Sequence, residues 1–127
     1  MGLEISLRSH LINEVNGIEG RAYPVNLPKQ PELPALTYQI VSGSRQYTHS
    51  GDTEKKKKRV QIDIWSRSYG ETKEIAEEVI EALSGFYGAM QDTDIGKSHM
   101  ENEQDAYSPE TGMYHVPLDF LIGYYDK

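Results

Sequence analysis

The stretch from Met113 to Tyr125 constrains the fold more than any other part of this sequence. Apolar and aromatic side chains occupy every second position there, the period of a β-strand with one buried face: Tyr114, Val116, Leu118, Phe120, Ile122 and Tyr124. A strand of this length with one continuous apolar face needs a layer of helices to cover it. Pro117 and Gly123 within it predict an edge position or a β-bulge.

Two further runs predict a β-hairpin. Residues 35–41 alternate, and residues 57–66 place Val60, Ile62 and Ile64 on one face and mainly polar side chains on the other. The residues between the two runs are polar and contain glycines, so we expect a long polar tip across 42–56. We call residues 44–57 the hairpin arm.

Two helices are predicted to supply the covering layer. The first carries its apolar residues at helical spacing, as one stripe that ends before Asn16-Gly17: Leu3, Leu7, Leu11, Ile12 and Val15. The second begins at a capping box, Ser68 to Glu71, and ends at Ser84-Gly85. Its apolar stripe consists of Ile75, Val79, Ile80, Leu83 and Phe86.

The order of these elements predicts the fold class. Prolines at 24, 28, 31 and 34 make residues 24–34 an extended connector, after a short strand at 21–24. A weakly patterned strand at 93–103 and a turn at 108–112 precede the last strand. We therefore expect an α+β fold in the order α-β-β-β-α-β-β, with a mainly antiparallel sheet and two helices packed on one face.

Length and composition narrow the function classes. A chain of 127 residues is expected to form a single domain, 1–127, and the absence of cysteine excludes disulfides and thiol chemistry. The net charge of −7 argues against a general nucleic-acid binder. No stretch is apolar and long enough to span a membrane and no signal peptide is evident, so we expect a soluble, cytoplasmic protein.

A basic run, Lys55, Lys56, Lys57, Lys58 and Arg59, is the first candidate interaction site. One interpretation is contact with nucleic acid or another polyanion. The other is a solvated arm, in which lysines on an edge strand block pairing between sheet edges.

The second helix presents the opposite charge. Glu74, Glu77, Glu78 and Glu81 lie on its polar face, with Lys73 as the only cation to balance them. This face is either simply solvated or a contact surface. A basic arm and an acidic helix in one chain are complementary, and a contact between them in different copies would be heterologous, giving a ring or a filament.

The sequence predicts no enzyme. The histidines are scattered (His10, His49, His99 and His115) and no pair has the helical spacing of a metalloprotease site. No nucleophile elbow and no phosphate-binding glycine loop is present. We therefore expect no catalytic residue, no metal and no cofactor.

Several blocks taken together resemble the tail-completion, or tail-to-head joining, family of long-tailed bacteriophages and prophages. They are Leu33–Gly43, Lys58–Ser66, Tyr69 with the helix end Leu83–Phe86, and Glu103–Phe120. The resemblance extends from the first helix to Tyr125 and is carried by the ordered set rather than by any single block. The basic arm is longer than is usual in that family.

The resemblance implies a structural role similar to that of tail terminators. Such proteins form a ring, expected to be a hexamer, at the head-proximal end of the tail tube. The implied partners are further copies of the chain, the tail tube protein and the head completion or connector protein, with DNA passing through without specific binding and no membrane. The implied location is the host cytoplasm during assembly and then the virion tail.

One alternative of a different class stays open from the sequence. A small α+β binding module could use Lys55–Arg59 on nucleic acid or another polyanion.

Overall fold

The computed structural model describes residues 2–48 and 51–126. In order, the chain forms α1 (Leu3–Glu14), a 3-10 turn (Asn16–Ile18), β1 (Ala22–Pro24), β2 (Ala35–Thr48), β3 (Gly51–Ser66), α2 (Tyr69–Leu83), β4 (Gly88–Met90), β5 (Thr93–Glu103), β6 (Ala106–Ser108) and β7 (Met113–Asp126). The predicted class and order are confirmed, and the short strands β4 and β6 are additional.

The sheet runs in the order β1-β2-β3-β7-β5-β4, and β6 pairs with β7 beyond the end of β5. Among the described strands, β1 and β2 pair in parallel and the other pairs are antiparallel. Both helices cover one face, where the alternating apolar residues of β3 and β7 are buried against α1 and α2. Within the described residues no helix lies over the other face, and we call it the open face.

The hairpin differs from its prediction. Instead of a loop across 42–56, the strands β2 and β3 stay paired as far as Thr48 and Gly51, so the arm is a two-stranded ribbon. Residues 49–50 lie outside the described residues. β7 pairs with β3 from Lys55 to Ser66 and supplies a third strand beside the inner part of the hairpin, so the pairing of β3 already continues past Arg59 on both sides.

β7 lies inside the sheet and not at its edge, so an edge position for Pro117 is wrong. The backbone carbonyl of Pro117 accepts a hydrogen bond from the backbone N–H of Gln104 at 3.2 Å. In a strand, the nitrogen of a residue points to the same side as the carbonyl of that residue. The missing N–H therefore faces the gap between β5 and β6. Gly123 does lie at a bulge, since the register of β5 shifts opposite it between Ile95 and Lys97.

The capping box of α2 forms with one extra member. The Ser68 hydroxyl accepts from the Glu71 amide at 3.3 Å, as predicted. The Glu71 carboxylate, however, accepts from the hydroxyl of Ser66 at 2.5 Å, and that hydroxyl accepts from the Ser68 amide at 3.2 Å. Buried Ser66 thus completes the box by linking the end of β3 to the start of α2.

We expect Ser68→Ala to lower the free energy of unfolding by about 1 kcal/mol, because the first turn of α2 loses its side-chain acceptor. Urea denaturation followed by circular dichroism measures this. Ser84→Ala at the other end of α2 is the control, since Ser84 is exposed. Equal losses in the two variants would mean that the cap contributes nothing specific.

Candidate interaction surfaces

The basic run is not a free arm. Lys55 to Arg59 lie on β3, which is hydrogen-bonded to β2 on one side and to β7 on the other. The proposed role of these lysines in protecting a sheet edge is therefore wrong. In a strand, successive side chains point to opposite faces, so the run divides between the helix-covered face and the open face. The side chain of Lys55 lies outside the described part of the structure.

Lys58 is on the helix-covered face and is used inside the chain. Its ammonium lies 3.4 Å from a Glu4 carboxylate oxygen and 5.8 Å from the centre of the Tyr124 ring. Burial by itself would lower the pKa of Lys58, but the Tyr124 hydroxyl and the Glu4 carboxylate outweigh burial and raise it. Lys58 holds β3 to α1. Half-buried Lys56 is on the same face.

Arg59 is on the open face and pairs there with Glu101 of β5. The Glu101 carboxylate also contacts Nε2 of His99 at 3.3 Å. The hydrogen bond from Arg59 is the main cause that lowers the pKa of Glu101. Of the four members of the run with described side chains, Lys57 is the most exposed, and no described residue pairs with its ammonium.

Lys57 borders a cavity of about 380 Å³ on the open face, which we call the basic hollow. Its lining is Lys57, Gly96, Lys97, His99, Leu121, Gly123 and Tyr125. The hollow exists because β5 bulges beside Gly96 and because neither glycine has a side chain to fill the space. A Cβ on Gly96 would lie 3.6 Å from the Gly123 carbonyl oxygen.

The acidic residues of α2 are on the outer side of the helix layer. Glu74, Glu77 and Glu81 are exposed. The half-buried Glu78 carboxylate accepts a hydrogen bond from the backbone N–H of Asn16 at 3.1 Å. Between α1 and α2 lies a second cavity, of about 230 Å³, which we call the acidic hollow. Its lining is Glu14, Glu78, Glu81 and Ala82.

Lys73 does not balance these glutamates. Its ammonium reaches away from them, to Glu103 at 2.9 Å and Asp105 at 2.8 Å. The hydrogen bond to Asp105 is the largest cause that raises the pKa of Lys73 and, reciprocally, lowers that of Asp105. Tyr69 donates to the same Asp105 at 2.7 Å, so this cluster fastens the start of α2 to the β5–β6 turn.

The two predicted surfaces do not meet within one chain. The basic hollow is on the open face of the sheet, and the acidic hollow is on the helix layer that covers the other face. The sheet separates them, so any contact between them joins different molecules.

A polar and aromatic cluster on the open face was not predicted. Nδ1 of His115 donates to the Asp63 carboxylate at 3.0 and 3.2 Å, and its ring stacks on Trp65 at 4.3 Å between centroids. The Trp65 indole N–H donates to the Thr37 hydroxyl at 3.1 Å. Burial raises the pKa of Asp63, and His115 opposes part of that rise. The β3–β7 register, which pairs Trp65 with His115, was the missing information.

Within residues 2–48 and 51–126 no group of three or more His, Asp or Glu side chains could hold a metal ion. His49 lies outside the described residues. No helix in this part of the chain has both the length and the apolar character needed to cross a membrane.

Comparison with known proteins identifies one matching family and solved structures that have a similar fold. Residues 6–125 match the profile of the family described as tail completion protein gp17, which confirms the predicted resemblance. A chain of the solved virion of a native gene transfer agent particle has a TM-score of 0.67 and 12% identity, over 98% of both chains. A second solved structure gives a TM-score of 0.57 at 12% identity, over 99% of this chain and 97% of that one. Among curated proteins none is matched.

Proposed function

Because the chain belongs to the tail completion protein gp17 family, we propose that it completes the head-proximal end of the phage tail tube and joins it to the head connector. The family consists of structural phage proteins and is not an enzyme family, so the role is that of a structural component of the virion tail. The family match over residues 6–125 is the observation that carries the proposal.

The proposed assembly is a hexameric ring. Its support in this chain is the placement of oppositely charged surfaces on opposite sides of one sheet. A contact between two such surfaces is heterologous, and heterologous contacts close into rings when the rotation between copies allows it. From the basic run Lys55–Arg59, exposed Lys57 on the open face would face Glu74, Glu77, Glu78 and Glu81 of the neighbouring copy, since Lys58 and Arg59 are already paired within the chain.

The other proposed partners are the tail tube protein on one side of the ring and the head completion or connector protein on the other. DNA would pass through the ring without specific binding. A net charge of −7 per copy supports this, because an acidic lumen repels phosphates and lets the duplex slide. The single domain 1–127 is part of the same proposal.

Native mass across protein concentration and salt tests the ring. Six chains of 14.4 kDa give a species of about 86 kDa, and high salt should dissociate it if charged surfaces form the contact. If the free chain is monomeric, the same measurement is made on tails assembled with it. A two-fold dimer, or normal joining of tails to heads without the protein, would contradict the proposal.

We expect Lys57→Glu to raise the concentration for half-assembly roughly five-fold, the effect of losing one exposed ion pair. Thermal stability should stay unchanged, because no described residue pairs with Lys57. Lys58→Glu is the contrasting variant, since it sets a carboxylate beside Glu4 and should lower thermal stability. Loss of stability in Lys57→Glu, or unchanged assembly, would remove Lys57 from the interface.

A second candidate function rests on the same exposed lysines. The basic hollow could hold a polyanion, as a binding module would. Retention on duplex DNA or heparin that falls steeply with salt would favour this function over the ring. Lys57→Glu should then weaken retention and leave the native mass unchanged.

A further inference from the structure

We propose that the basic hollow of one copy receives the acidic hollow of the next, so that Lys57 and Lys97 face Glu14 and Glu81 across a repeated contact. The inference rests on the proposed function, since it requires assembly of copies. In this contact the basic surface consists of Lys57 of β3 and Lys97 of β5 instead of the continuous basic run. The acidic surface includes Glu14 of α1 in addition to α2.

Lys57 and Lys97 suit such a contact because both are exposed and lack a partner. Within the described part of the chain, neither side chain makes an ion pair or a hydrogen bond. By contrast, Lys58 and Arg59 already pair with Glu4 and Glu101. The available positive charge on this part of the open face is therefore concentrated at the basic hollow.

The basic hollow also has an apolar component. Leu121 is half-buried beside it, and Tyr125 is 41% exposed at its border. Burying such groups contributes free energy that exposed ion pairs alone do not. A surface of this kind fits a partner with carboxylates and some apolar area, and not a bare anion.

The acidic hollow has the matching composition. Glu14 and Glu81 are exposed and no described residue pairs with their carboxylates, whereas Glu78 is held by the Asn16 amide. Ala82 at the same hollow is small and leaves room for the aliphatic part of a lysine side chain. The hollow lies between two helices whose other sides are packed into the core.

A second copy is the occupant that the charges favour. The chain carries −7 overall, so copies repel at long range and associate only where opposite charges face each other locally. The two hollows provide that arrangement, and their position on opposite sides of the sheet prevents one chain from satisfying both. Each added copy presents a new unsatisfied hollow, so the contact propagates from copy to copy and closes into a ring when the rotation between copies allows it.

Cysteine cross-linking tests the contact directly, because the natural chain has no cysteine. A chain carrying both Lys97→Cys and Glu81→Cys is oxidised under conditions in which the unmodified protein is assembled, in solution or on tails. We expect a covalent ladder that ends at six chains. The control pair, Lys29→Cys with Glu110→Cys, replaces one exposed lysine and one exposed glutamate elsewhere and should give no ladder.

Charge exchange provides a second measurement. One variant carries Lys57→Glu and Lys97→Glu, and the other carries Glu14→Lys and Glu81→Lys. Each alone should fail to assemble, because like charges then meet at every contact. An equal mixture should assemble, since each altered hollow meets an oppositely altered one and the alternating ring has an even number of members.

The outcomes separate the two levels of the proposal. If the variant with Lys97→Cys and Glu81→Cys still forms the ring but gives no more ladder than the control, this contact is wrong and the ring is held by other surfaces. Failure of the mixture to assemble contradicts the contact in the same way. If no ring forms in solution or on tails, the proposed function fails together with it.

Discussion

Replacing Phe120 with alanine is expected to lower the free energy of unfolding by about 3–5 kcal/mol. The side chain is fully buried and lies in the interior strand β7, in register with Val60 of β3 and Met100 of β5. Its truncation leaves a cavity between the sheet and the helices, where packed neighbours relax only in part. Because small domains are stable by about 5–15 kcal/mol, this one change removes much of the total. Urea denaturation measures it.

Leu121→Ala is the matched control, since Leu121 follows Phe120 in the same strand but points to the open face. We expect a loss of about 1 kcal/mol there, because a half-buried side chain has less contact to lose. Similar losses at the two positions would mean that β7 is covered on both faces. That result would contradict the layer arrangement.

The secondary structure was largely predictable because its signals are local. The alternation in Met113–Tyr125 predicts β7, and the capping box predicts the start of α2 at Tyr69, after the Ser68 cap. The alternation also predicts which face of β3 is buried, and Val60, Ile62 and Ile64 are indeed fully buried.

What could not be predicted depends on strand order and register. The local sequence around Lys55–Arg59 predicts an exposed hairpin arm. In the fold, β7 pairs with this part of β3 and makes β3 an interior strand. The sequence of α2 predicts Lys73 as the counter-charge of the α2 glutamates. In the fold, the ammonium of Lys73 pairs instead with Asp105. The basic hollow joins Lys57 to Lys97 beside the β5 bulge; Gly123 indicates a bulge in the sequence, but not which two strands lie on either side of it.

The Asp63–His115 pair leads to the second large expected effect. We expect His115→Leu to lower the free energy of unfolding by about 3 kcal/mol near pH 7, because the largely buried Asp63 carboxylate loses its partner. Stacking on Trp65 is lost as well. Since Trp65 is the only tryptophan, its fluorescence follows unfolding at this site.

The effect should depend on pH in a defined direction. Burial raises the pKa of Asp63 above its ordinary value of 3.8, so the folded chain holds the proton more tightly than the unfolded chain. The resulting stabilisation is fully present below pH 3.8 and is lost as the pH rises through the folded pKa. Without His115 to oppose it, that pKa rises further and the loss is larger. The destabilisation by His115→Leu should therefore shrink as the pH falls towards 4.

The double variant Asp63→Asn with His115→Leu separates charge from packing. It carries no ionisable group at either position, so it should be more stable than His115→Leu alone near pH 7. The difference between the two variants should vanish at low pH, where Asp63 is protonated and neutral. If His115→Leu costs the same at every pH and the addition of Asp63→Asn changes nothing, the pair acts through the Trp65 stack alone. The β3–β7 register would then be held at this point by aromatic packing, with no contribution from the charge on Asp63.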